Sequence, residues 1–296
     1  MIDFKGKSAV ITGGASGIGL GIATALANQG CNIAITDINE KKGQAAVKEL
    51  AKKGVKALFI HHDVTKEADW DTVIATLKKA FPPVDYAFNN AGIILQPAPL
   101  TEIKVKDWEW IISVNMWGAL FGLRKFTELM EQQDINGHIV TTSSTAAASV
   151  TSTWVPYCVT KVAVLRMVEG YQAEANLFGK TKIKYSAIMP AVVYSNIGNS
   201  ETYRLPEYAT SDVPAVEQPN IQPGSPEGDS MGMITTELAV ERILKQVSYG
   251  HTYIYTHRDL TSALILSETN SLLLNNPPTD QAVFNGAHYA KKAARP

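Results

Sequence analysis

Only two of the 296 residues are cysteine, Cys31 and Cys158. Two thiols do not make a disulfide framework, so the chain reads as a cytoplasmic protein with both cysteines reduced. Charge of a dominant sign is also missing. The formal net charge is -1 and no long basic run occurs, which argues against nucleic acid and anionic membranes as partners. Charged residues make up only 19% against 45% apolar, a balance that supports a sizeable core rather than disorder. No apolar run is long enough to span a bilayer. The opening stretch MIDFKGKSAVITGG lacks the apolar centre of a signal peptide and runs straight into a strand-like segment. No metal site is expected either: His61 and His62 are adjacent, and neighbours on a strand point to opposite faces.

The length allows one large α/β domain or two small ones. Short β-branched runs at 8–12, 32–37, 57–62, 86–89, 138–142, 183–189 and 252–255 read as strands. Helical patterns at 18–29, 39–53, 67–80, 106–132 and 156–178 fall between them, the third stopped by Pro82 and Pro83. Continuously apolar strands alternating with helices predict α/β architecture: a single Rossmann-fold domain, its doubly wound parallel sheet of about seven strands covered on both faces. No internal repeat interrupts the pattern. Residues 194–233 are rich in Pro, Ser, Asn, Glu and Gly with little periodicity, the pattern of a lid or binding loop within a domain of residues 1–256. A C-terminal extension, 257–296, carries SALIL and SLLL and is expected to pack on the domain or on a partner subunit.

Chemistry gathers at the carboxyl ends of the predicted strands. Gly13, Ser16, Gly17, Ile18 and Gly19 join the first strand to the first helix in a Gly-x-x-x-Gly-x-Gly spacing. Glycines there let the backbone turn sharply and approach a diphosphate, which amides at a helix N-terminus can hold. A plain tight turn is the alternative. Asp37 closes the second strand eighteen residues later. A carboxylate there accepts from both ribose hydroxyls of adenosine and repels a 2′-phosphate, so the sequence favours NAD over NADP. Lys41 and Lys42 close by read as a solvated helix face. Asp63 and Val64 end the third strand, and Asn90, Ala91 and Gly92 follow the fourth, where a dinucleotide would run. Turn capping competes evenly for Asp63. Tyr157 and Lys161 form the one Tyr-x-x-x-Lys of the chain, thirteen residues after Ser144. Helical spacing stacks the pair on one face. The ammonium is expected to lower a phenol pKa otherwise near ~10 and ready it for proton exchange with an alcohol or ketone oxygen.

In this order and spacing, these segments resemble the short-chain dehydrogenase/reductase family over roughly residues 5–195. The resemblance implies that Tyr157 is the acid/base and that Ser144 hydrogen-bonds the substrate oxygen. Lys161 would bind the nicotinamide ribose and depress the tyrosine pKa, and Asn115 would hold a water that relays protons from Lys161. Ser143 competes with Ser144, but the thirteen-residue spacing favours Ser144. Asn115 also has a bland reading, a buried amide satisfying backbone groups. Val193 would offer its backbone to the carboxamide, with Ser195 where threonine is usual. One departure is Pro190-Ala191, where the family commonly has Pro-Gly.

Beside Ser144 and Tyr157, the substrate face is expected to include Leu95, Trp154 and Tyr194, with Ile94, Tyr203 and Tyr208 near. Aromatic and aliphatic walls suit a hydrophobic, aromatic or alicyclic secondary alcohol or its ketone. The long 194–233 segment and the Tyr-Ile-Tyr-Thr-His run at 253–257 also resemble a subgroup that includes bacterial dehydrogenases of benzylic alcohols. The resemblance further implies a homodimer or homotetramer paired through the helices at 106–132 and 156–178. Two alternatives stay open: a lyase or epimerase that uses NAD without net oxidation, and a catalytically idle nucleotide-binding scaffold.

Overall fold

The computed structural model describes residues 3–81, 83–210 and 221–278. The helix stop expected at Pro82, the middle of the 194–233 segment and the end of the 257–296 extension lie outside these residues. Apolar, β-branched runs form β1 (Ser8–Thr12), β2 (Asn32–Asp37), β3 (Ala57–His61), β4 (Tyr86–Asn89), β5 (Gly137–Thr142), β6 (Ile183–Met189) and β7 (Tyr253–Tyr255). They form one sheet in the order β3-β2-β1-β4-β5-β6-β7, and every pairing is parallel.

Parallel neighbours need crossovers, and alternating side chains give the sheet two apolar faces, so helices cover both. On one side α1 (Gly17–Asn28), α2 (Glu40–Ala51) and α8 (Thr236–Ser248) bury Ile11, Ile33, Ile35 and Phe88. On the other, α3 (Glu67–Ala80), α5 (Gly118–Gln133) and α6 (Val155–Leu177) cover Val10, Ala34, Ala87 and Ile139. The helical segment expected at 106–132 is two helices in series: α4 (Val105–Ile112) passes through a π-helical turn at Ser113–Trp117 into α5. A π turn adds one residue to the helical ladder without ending the helix, so the segment still reads as one continuous helical run. The described residues also form a five-residue helix, α7 (Pro226–Ser230), and a sixteen-residue one, α9 (Arg258–Leu273), the latter burying Thr261, Leu264 and Ser271.

Helix α2 illustrates how sequence sets the packing. The Asn39 side chain caps its N-terminus by accepting from Lys42 N at 2.9 Å. Gly43, Ala46 and Leu50, at helical spacing, are its buried residues. A Cβ on Gly43 would overlap the Phe59 ring of β3. Strand order reverses at β1 and β4, and the crevice beyond their carboxyl ends is where open α/β sheets bind ligands.

Candidate active site

The loop after β1 is shaped for close backbone approach. Gly13 takes φ +63°, and a Cβ there would stand 3.0 Å from Ala91 Cα. Ser16 sits at the N-cap of α1 but makes no side-chain cap, so the first amides of α1 are not claimed by it. Those amides and the positive end of the helix fit a diphosphate. Thr12 Oγ1 accepts from Asn90 N at 2.8 Å and Ala91 N at 3.0 Å. Asn90 in turn donates to Thr12 O at 3.1 Å and accepts from Thr142 Oγ1 at 3.1 Å. Asn90 therefore stitches the ends of β1, β4 and β5 together beneath the cleft.

Asp37 accepts from Ala15 N at 3.1 Å and Asn39 N at 2.9 Å, one amide on each carboxylate oxygen. Each oxygen keeps accepting capacity for a ribose hydroxyl. Burial raises its pKa; the two amides and Lys42 act the other way. Asp63 Oδ1 accepts from Thr65 N at 3.0 Å and Thr65 Oγ1 at 2.7 Å, so the capping role is real, while Asp63 and Val64 also line the cleft. His61 is exposed and His62 buried, as alternation on a strand requires. His62 Nδ1 meets Thr36 Oγ1 at 2.9 Å, and burial pushes its pKa down to about 4.

The chemical group converges from β5 and α6. Both serines border the cleft, but Ser143 spends its hydroxyl proton on Lys161 O at 2.8 Å, and of the two only Ser144 also borders the second, larger cavity. Ser144 Oγ accepts from Ala146 N at 3.1 Å and hydrogen-bonds the Tyr157 hydroxyl. Lys161 is 2% exposed, donates to Thr142 O at 3.0 Å and stands 5.4 Å from the Tyr157 ring centre. Its ammonium is thus held by a carbonyl rather than by the phenol.

The pKa expected for Tyr157 is reversed in the protein alone. Burial pushes the phenol up to about 12, against the lowering effect of Ser144, and burial pulls Lys161 down to about 8. Helical spacing brings the two groups together, but burial dominates the phenol's titration. Asn115 sits in the π turn. Its Oδ1 accepts from Ile93 N at 2.8 Å, and its Nδ2 donates to Ile93 O at 2.9 Å and Thr160 Oγ1 at 3.2 Å. The bland reading of Asn115 is therefore fulfilled, although a Cβ on Gly92 would lie within 3.3 Å of Asn115 Oδ1 and 3.4 Å of Lys161 Nζ.

Two cavities meet at this group. The first runs past Gly13, Ser16, Gly17, Ile18, Asp37, Asp63, Val64, Asn90, Ala91 and Gly92 to Ser144, Tyr157, Lys161, Val193 and Ser195. Gly19 lies behind it, where a Cβ would overlap the Gly13 carbonyl. The second, about 950 Å³, is lined by Leu95, Trp154 and Tyr194, with Ser144 and Tyr157 again in its wall.

The 194–233 segment divides its work between the two. Ser200, Tyr203 and Leu205 cover the dinucleotide cleft, Ile221, Pro223, Met231 and Met233 wall the larger cavity, and Ile197 borders both. Tyr203 consequently belongs to the cofactor side, where its hydroxyl accepts from Lys42 Nζ at 2.9 Å. Tyr208 packs on the cluster of Ile93, Leu95, Trp110 and Ile111 instead of lining the larger cavity. The cover is fastened by Arg204, which pairs with Glu201 at 2.7 Å and Asp107 at 2.8 Å and lies over the Trp110 ring. Sequence reasoning missed Ser200, whose Oγ accepts from Ile94 N at 3.0 Å, and nothing local marks it. Met231 and Met233 did carry a signal, two apolar residues in a polar stretch just before the Thr235 cap.

Known proteins resemble this chain in sequence and in fold. A CLA biosynthesis dehydrogenase/reductase from Lactiplantibacillus plantarum is 28% identical over 290 residues, 97% of this chain and 99% of that one. A 2,5-dichloro-2,5-cyclohexadiene-1,4-diol dehydrogenase from Sphingobium indicum is 32% identical over 193 residues, 65% of this chain and 75% of that one. The crystal structure of a short chain dehydrogenase/reductase from Burkholderia phymatum in complex with NAD superposes with a TM-score of 0.85 at 25% identity, covering 95% of this chain and 99% of that one. The family model described as short chain dehydrogenase matches residues 7–204, from before β1 to the Arg204 that fastens the cover. With both cavities and the Ser144, Tyr157 and Lys161 group inside or against that span, the chain belongs to the short-chain dehydrogenase family.

Proposed function

We propose that the protein is an oxidoreductase that moves a hydride between NAD(H) and a hydrophobic secondary alcohol or its ketone, the alcohol carrying an aromatic or alicyclic body. One observation carries this reading: Ser144 and Tyr157 belong to the wall of both cavities, the dinucleotide cleft and the larger chamber. A proton-exchanging phenol at that junction can meet a carbinol oxygen presented from one side and a cofactor held on the other. When bound, NAD supplies the acceptor for the carbinol hydride. In oxidation Tyr157 as phenolate takes the hydroxyl proton while the carbinol C–H bond gives up its electron pair; reduction returns the proton from Tyr157. Ser144 donates to the substrate oxygen as negative charge develops, worth a few kcal/mol at comparable sites. Lys161 stands beside the pair and would hold the nicotinamide ribose of a bound cofactor. Asn115 fixes the Ile93 peptide and gives its π turn the position from which a proton path to Lys161 would start.

Asp37 supports NAD over NADP, its carboxylate being poised for ribose hydroxyls and repulsive to a phosphate. The chamber supports an alicyclic or aromatic substrate: Leu95, Trp154, Met231 and Met233 contribute apolar wall, and Glu237 is its one charged lining residue among the described residues. A relative acting on a cyclohexadiene diol agrees with that class. Assembly as a homodimer or homotetramer and a cytoplasmic setting complete the proposal, the latter supported by two buried cysteines without a disulfide. Among the described residues no helix is long and apolar enough to cross a membrane.

The test is NADH formation, followed by absorbance, over a panel of benzylic and alicyclic secondary alcohols. Wild-type protein is expected to turn over at least one class. Tyr157→Phe is expected to lose roughly 10²- to 10⁴-fold in turnover, the range of general acid–base catalysis, with NAD affinity retained. Full activity in Tyr157→Phe would remove Tyr157 from the chemistry. Consumption of substrate without accumulating NADH would instead favour an epimerase or lyase.

A further inference from the structure

We propose that His257 is a positioning residue for the substrate side of the site. Its two ring nitrogens tie the wall carrying Met231 and Met233 to the backbone that leaves β6, and so set how firmly the alcohol is held. The effect on alcohol binding rests on the oxidoreductase reading above; the anchor itself does not.

Hydrogen-bond accounting fixes every role. His257 Nε2 stands 2.9 Å from Gly232 O. A carbonyl only accepts, so Nε2 carries the proton. The neutral ring then offers Nδ1 as an acceptor, and Thr256 Oγ1 lies 2.9 Å from it and donates. The same Thr256 oxygen accepts from Ala191 N at 3.1 Å. Ala191, Thr256, His257 and Gly232 thus form one chain in which each donor meets one acceptor. Burial holds the His257 pKa below its ordinary value, in keeping with a neutral ring, although the Gly232 bond works the other way.

Both ends of this chain reach the site. Ala191 lines both cavities, and it replaces the glycine common in the family. Thr256, 1% exposed, takes up its amide. Gly232, at φ +65°, sits between Met231 and Met233, which line the substrate chamber. The main chain that carries the ring is itself held, because His257 O accepts from Thr261 N at 3.0 Å and Thr261 Oγ1 at 2.8 Å at the start of α9. Main-chain bonds hold the wall's far side, where Ile234 N donates to Val192 O at 3.1 Å. His257 is the second fastening, and it links the chamber wall to the extension that follows β7.

The experiment compares His257→Ala, His257→Asn and His257→Gln in the full chain. Glutamine can place an N–H where Nε2 stands, whereas asparagine reaches only Thr256. Amide hydrogen exchange over residues 228–234 is expected to quicken in the Ala and Asn variants and to return to the wild-type rate in Gln. In turnover, His257→Ala is expected to raise the alcohol KM about fivefold, the loss of one net hydrogen bond, with kcat and the KM for NAD within about twofold. Gln is expected to restore the alcohol KM. Unchanged exchange in His257→Ala overturns the anchor, and so does a failure of Gln to differ from Asn. A wild-type protein inactive on every alcohol would defeat the oxidoreductase reading alone, since the exchange measurement decides the anchor without any substrate.

Discussion

Tyr157 and Lys161 each sit where burial disfavours their charged form, the phenol at about 12 and the ammonium at about 8. Oxidation needs the phenolate, so its rate is expected to climb with pH through the neutral and alkaline range, while reduction, which needs the phenol, holds level or falls. Lys161 Nζ stands 5.4 Å from the Tyr157 ring centre, and a positive charge there would favour the phenolate. Removing it in Lys161→Met is therefore expected to move the rising limb of kcat/KM for oxidation to higher pH, and to leave the limb's direction unchanged. Paired pH profiles of the two proteins check this; coincident limbs would show that Lys161 does not tune the phenol. The spacing of Ser144, Tyr157 and Lys161 was readable in the sequence, and the fold brings the three side chains to one place. The sign of the Tyr157 shift was not readable, because it depends on how deeply the surrounding loops bury the pair.

Regular elements were legible for the same reason that they are stable: apolar runs and helical periodicity report the two faces of the sheet directly. Loops that reach the site were less so. The 194–233 segment announced itself by composition, yet its division into a cofactor cover and a chamber wall depends on long-range bonds such as Lys42 to Tyr203 and Arg204 to Asp107. The π turn that places Asn115 adds a single residue to an otherwise helical run, an irregularity too small for residue spacing alone to announce. Where helix meets sheet, the contact is tight enough to test. Adding a methyl in Gly43→Ala would drive α2 away from Phe59 on β3. Overpacking of this kind costs typically about 1–3 kcal/mol, larger than the helix-propensity gain of about 1 kcal/mol from replacing glycine. Chemical denaturation is expected to give a lower midpoint with an unchanged slope. A more stable Gly43→Ala would mean that α2 and β3 have room to part.

At the scale of the whole molecule, the apolar side chains left outside matter most. Trp117 on the π turn is 47% exposed, and Val159 and Val162 on neighbouring α6 are 47% and 40% exposed. Trp117 stacks on Phe121 at 6.1 Å, which holds its indole in place. Further along α6, Gly170 has open space where a side chain would stand, leaving room for another backbone to approach. Large exposed apolar residues grouped on adjoining helices mark association surfaces more often than solvent faces. A two-fold pairing would place one such surface against its own copy, and a stable interface buries about 800 Å² per partner. Light scattering is therefore expected to give a mass of at least twice the 32.1 kDa of one chain. Because these helices also carry Asn115, Tyr157 and Lys161, the double variant Trp117→Glu with Val162→Glu is expected to lower both the measured mass and the turnover. A wild-type protein that stays at the mass of one chain across the micromolar range would leave these side chains without a partner and remove the assembly from the proposal.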